Sequence, residues 1–191
     1  MKRFMLATAS FALIFALTSC DNAPKQEDTK KVAEEHNEAK FNNNKEKDAQ
    51  FLVNAAEVNL EEIKLGEIAK TNGKMPEVKK MGEMMVMEHG QALKDLQVLA
   101  AKKQITIPTS ITDNGQEAYK KMMNKKGSDF DKAYCDMMVD GHKSAIENFE
   151  KVSMGEGDAD IKGWATSMLP TLRAHLDASI TCQKKCEKMK M

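Results

Sequence analysis

Aromatic residues are scarce in this 191-residue chain: one Trp, two Tyr and seven Phe. Net charge is absent too, because 29 basic residues meet 29 acidic ones. No basic stripe with interleaved aromatics occurs, which argues against nucleic-acid binding. No Gly-rich phosphate loop follows an apolar strand, and no Gly-x-Ser-x-Gly elbow is present. No stretch alternates apolar and polar residues long enough to specify a strand. One apolar run, residues 4–17, stands out, but it falls short of the roughly 20 residues a membrane-spanning helix needs.

That run has a different meaning. Lys2 and Arg3 precede it, and Leu17-Thr18-Ser19-Cys20 closes it. Small residues before a cysteine resemble a bacterial lipoprotein signal, so residues 1–20 are expected to be a signal peptide with lipidation at Cys20. The expected location is the bacterial cell envelope, on its periplasmic or outer-surface face, with the membrane as partner through the lipid anchor. Neither a protein partner nor an oligomeric state is legible in the sequence. Residues 21–48 are polar, rich in Lys, Glu, Asp and Asn. Such composition buries too little apolar surface to offset ordering entropy and predicts a flexible tether, in which His36 is solvated.

The remaining chain predicts one all-α domain over 49–187, with a short tail at 188–191. Long helices are expected near 48–71, 76–103, 128–153 and 158–185, and a short extra helix near 116–125 between the second and third. Asn72-Gly73 stops the first, and Pro76 suits the first turn of the second. Ser128 with Asp131 reads as a capping start for the third, and Asp158 as a cap for the fourth. Four long helices with short connections predict an up-and-down bundle.

At about 100° per residue, His89, His142 and His175 fall on or beside the apolar arcs of three different helices. Asn59 and Glu62 fall inside the arc of the remaining one. Two windows, EMMVMEHGQALKDLQ at 83–97 and DMMVDGHKSAIENFE at 136–150, repeat Met-Met-Val-x-x-His. In each, a Met and a His four apart share one face. Duplication of a helical hairpin and convergent helix patterning both account for the repeat.

The segments FLVNAAEVNLEEIKLGEIA, VKKMGEMMVMEHGQAL, FDKAYCDMMVDGHKSAIENFE and LPTLRAHLDAS resemble, in this order, the exported bacterial family called domain of unknown function 4142. The resemblance spans Phe51 to about Ser179. It implies a ferritin-like four-helix bundle and no established activity, and its motifs contain Asn59, Glu62, His89, His142 and His175.

Two chemistries suit these five residues. One is a single zinc or copper ion held by His89, His142, His175 and Glu62, with Asn59 supporting a ligand. The other is a buried hydrogen-bonded network that fixes the register of the bundle, within a non-catalytic envelope interaction or stress-protection module. A di-iron centre is not expected: it needs about four inward carboxylates and two Glu-x-x-His pairs, whereas Val86, Val139 and Leu172 stand three before the histidines. No nucleophile–base pair is visible, so an enzyme is not the default reading. Fifteen methionines and the ending CQKKCEKMKM add soft donors. Cys182 and Cys186 form a disulfide, a soft-metal clip or bonds to other chains, and Cys135 is left over.

Overall fold

The structure, a computed structural model, describes residues 28–188. The expected signal segment with Cys20, the first part of the expected tether and residues 189–191 lie outside the described residues. The elements are α1 (Thr29–Lys40), α2 (Asn43–Asn72), α3 (Pro76–Lys103), α4 (Asp113–Met123), α5 (Gly127–Met154) and α6 (Ala159–Lys188). The chain is all-α, and its four long helices form a bundle. Among the described residues no helix is long and apolar enough to cross a membrane.

The first correction concerns the tether. Its described part, from Asp28 on, is helix α1 and the first turns of α2, docked on the domain. Composition misleads here because α1 is held by hydrogen bonds more than by apolar area. Asn37 is buried; its Nδ2 donates to the Thr106 carbonyl at 2.7 Å and its Oδ1 accepts from the Thr106 N–H at 2.9 Å. Lys30 Nζ pairs with Glu57 on α2 at 2.6 Å. Asp28 caps α1 by accepting from the Lys30 N–H at 2.9 Å. Thr29 Oγ1 accepts from the backbone of Thr109 and Ser110. A polar helix bound at both ends in this way needs little core of its own.

The long helices pair as two antiparallel hairpins, α2 with α3 and α5 with α6, and the hairpins stack. One connection departs from a simple up-and-down chain. Asp48 at the start of α2 accepts from the Asp158 N–H at the start of α6, so α2 and α6 run the same way. Lys103 near the end of α3 pairs with Asp158 and Asp160, while Lys185 near the end of α6 pairs with Glu77 near the start of α3. Helices α3 and α5 are therefore parallel, and residues 104–126, including α4, carry the chain back along the whole bundle. Gly73 and Gly127 meet in an isolated bridge at the end where this crossover arrives. Asp131 does not cap its own helix as the sequence suggests. Its two carboxylate oxygens accept from the N–H groups of Lys74 and Met75, at 2.8 and 2.9 Å, tying the α2–α3 turn to α5.

Helices α2 and α3 touch closely where two glycines face each other. A Cβ on Gly82 would lie 2.7 Å from the Gly66 carbonyl oxygen and 2.7 Å from Ala69 Cβ. The apolar core comes in two blocks. One contains Leu65, Met75, Met81, Met85, Phe130, Tyr134, Met138 and Cys182. The other contains Leu52, Ala56, Leu96, Phe149, Ile161, Ala165 and Leu172. Along every long helix, the residues separating the blocks are polar: Asn59, His89, His142 and His175, all buried.

Candidate metal centre

His89 on α3, His142 on α5 and His175 on α6 are brought to one level of the bundle. Ring centroids are 5.6 Å apart for His89–His142, 5.2 Å for His89–His175 and 5.1 Å for His142–His175. One nitrogen from each ring lies within 4.8 Å of the others. The fourth helix contributes Asn59, whose Oδ1 meets His89 Nδ1 at 3.0 Å.

The oxygen partners assign the tautomers. Asn59 Nδ2 donates to the Ala55 carbonyl at 2.7 Å, so its Oδ1 is the acceptor and His89 Nδ1 the donor. His142 Nδ1 donates to the Met138 carbonyl at 2.8 Å. His175 Nε2 donates to Glu88 Oε2 at 2.9 Å. When all three rings are neutral, each spends its one N–H on an oxygen, leaving lone pairs on His89 Nε2, His142 Nε2 and His175 Nδ1. The last two are 3.2 Å apart. With both protons directed elsewhere, that contact sets lone pair against lone pair. His89 Nε2 is buried without a partner. Burial, with the neighbouring rings adding to it, holds His89 well below the usual imidazole range. Burial brings His142 down to about 4. Both rings are therefore neutral near pH 7, the form that binds a metal.

A scan against protein-family models matches residues 31–180 to a domain of unknown function, DUF4142. The chain belongs to this family. No curated protein matches it, and no solved structure does. The matched span contains all four residues of the polar layer and Cys135; Cys182 and Cys186 lie beyond it.

Of the residues the sequence singles out in this DUF4142 domain, the three histidines and Asn59 converge and Glu62 stands apart. Glu62 is not in the group of converging donor atoms. It sits on α2 three residues beyond Asn59, nearly one turn further along. Its Oε1 is 3.5 Å from the position of a Cβ on Gly141, and its Oε2 is buried without a partner. Burial, with Glu61 nearby, pushes its carboxyl up to about 8, so it is protonated near neutrality. The carboxylate that does touch the cluster is Glu88, half-exposed at the edge of the α3–α6 seam. Sequence reasoning misses it because Glu88 stands one residue before His89, about 100° off the apolar arc. It reaches inward along the seam to a ring on the neighbouring helix.

Cys182 and Cys186 carry no disulfide; they are free, as is Cys135. The three sulfurs lie within 4.8 Å of one another, so the leftover cysteine completes a second group.

Proposed function

We propose that this DUF4142 protein is a lipid-anchored envelope protein whose bundle binds one divalent transition-metal ion, zinc or copper, through His89 Nε2, His142 Nε2 and His175 Nδ1. The observation that carries the reading is the outer ring of oxygens. Asn59 Oδ1, the Met138 carbonyl and Glu88 each accept the N–H of one imidazole, the pattern by which metal-binding histidines are held in tautomer and orientation. Scale supports it as well. Two ligands on a tetrahedral ion at 2.0–2.1 Å are about 3.3–3.4 Å apart, and His142 Nε2 and His175 Nδ1 are 3.2 Å apart. An ion there turns a repulsive contact into two bonds and gives His89 Nε2 the partner it lacks.

Glu62 stays outside this ligand set, so three imidazole nitrogens leave a fourth position for an exogenous donor. Next to the layer, a cavity of about 470 Å³ is lined by Asn59, His89, Phe149, Trp164 and Leu172 among others. A bound ion supplies Lewis acidity to whatever small donor enters that space. The envelope part of the proposal rests on the Lys2-Arg3 start, the apolar run and Cys20.

The test is thermal stability of tag-free, chelator-stripped protein in a Cys182→Ser, Cys186→Ser background, where imidazoles are the main ligands. Zn²⁺ or Cu²⁺ at 100 times its Kd stabilises by about 2.7 kcal/mol, which raises Tm by about 5–10 °C for a chain of this size. His89→Ala with His142→Ala removes the shift. Equal shifts with and without the two histidines reject the metal and leave a hydrogen-bonded network as the role of the layer.

A further inference from the structure

The three cysteines occupy the apolar block at the end of the bundle where α3 begins. Cys135 is seven residues before His142, and Cys182 seven after His175. Because α5 and α6 are antiparallel, these are the same faces, about 10 Å along the axis from the histidines. Cys186 lies one turn further on. All three are buried. Cys135 Sγ is 3.7 Å from Cys186 Sγ, and Cys186 Sγ is 3.4 Å from Met75 Sδ. The immediate donor set is therefore three thiols and a thioether.

We propose that Cys135, Cys182 and Cys186, with the Met75 thioether beside them, form a second metal site that takes Cu(I). Thiolate and thioether sulfurs select soft ions, and Cu(I) is the soft ion both donor types suit. Structural zinc sites are instead closed by four thiolate, imidazole or carboxylate ligands, whereas three such groups converge here among the described residues.

A separate feature supplies access. A groove of about 680 Å³ between α3 and α6 is lined by Met81, Met84, Met87, Glu83, Asp177 and Cys182 among others. Met87 is exposed at its outer end, Met84 is intermediate and Met81 is buried. Thioethers at graded depth, flanked by carboxylates, give a soft cation successive weak ligands on the way to Cys182. Loading displaces thiol protons, so affinity rises with pH.

This site does not depend on the histidine layer, and the experiment separates them. Reduced, tag-free full chain is titrated anaerobically with Cu(I) against the Cu(I) chelator bathocuproine disulfonate. The expected result is one Cu(I) retained per chain by wild type and by His89→Ala, His142→Ala, and lost in Cys182→Ser, Cys186→Ser with unchanged far-UV circular dichroism. X-ray absorption of the loaded wild type, which needs no variant to fold, shows sulfur scatterers alone. Three results overturn the proposal: no Cu(I) held against the chelator, retention by the serine variant, or nitrogen scatterers around copper. A native disulfide within the trio that persists in the protein as isolated overturns it equally.

Discussion

Replacing Glu62 with Gln tests the electrostatics of the bundle most directly. The carboxyl is buried and its Oε2 lacks a partner. Burial raises it from 4.5 to about 8. The native state keeps this proton until about pH 8, while the unfolded chain releases it near pH 4.5. Across that window unfolding releases a proton, so Glu62 lowers stability as pH rises. At 1.36 kcal/mol per pH unit, the loss between pH 5 and pH 8 is about 3 kcal/mol. His89 and His142 act in the opposite sense. Their native values are depressed, so their contribution is present above about 6.5 and is lost as pH falls below it. The diagnostic quantity is therefore the difference between Glu62→Gln and wild type, in which the histidines cancel. Gln has the shape of the protonated acid, so the variant should lie close to wild type at pH 5 and be more stable by about 3 kcal/mol at pH 8. Urea unfolding followed by circular dichroism, with chelator present, measures it. A difference that does not change between the two pH values would refute the argument, because Glu62 would then titrate like a solvated acid.

Two more expectations follow from contacts and motifs. Gly82→Ala forces a Cβ to within 2.7 Å of the Gly66 carbonyl and should cost about 1–3 kcal/mol by overpacking. Gly163→Ala, with nothing within 4 Å of its added methyl, should stabilise helix α6 by about 0.5–1 kcal/mol; urea unfolding midpoints of the pair check both signs. Cys20→Ser removes the sulfur that lipidation needs, so the protein should leave the membrane fraction or remain unprocessed. Unchanged fractionation with unchanged mass counts against the anchor.

The helices were legible because apolar residues recur at helical spacing and the breaks carry Gly or Pro. His89, His142 and His175 were legible as inward residues for the same reason, since phase is a local property. What phase cannot carry is height: it gave Glu62 and Asn59 equal standing, and only the stagger of α2 against α3 decides that Asn59 meets His89. Glu88 lies outside the arc and works sideways, across a seam that no single-helix projection contains. Cys135 looked unpaired because its partners are on another helix, 47 and 51 residues on. Helix α1 was missed because hydrogen bonds from Asn37 and Thr29 to the loop after α3, rather than apolar surface, hold it in place.

Docking of α1 bears on the proposed anchor. If Cys20 carries the lipid, only residues 21–27 separate it from Asp28, which caps α1. Seven residues, whatever their conformation, reach no further than about 25 Å, whereas the 28 residues of 21–48 would reach about 100 Å. Helices of 28–30 residues are about 42–45 Å long, so under the proposed lipidation the bundle would be longer than its own attachment. A domain so attached would swivel and tilt against the headgroups without swinging clear of them, and would meet a metal ion within a thin shell at the lipid surface.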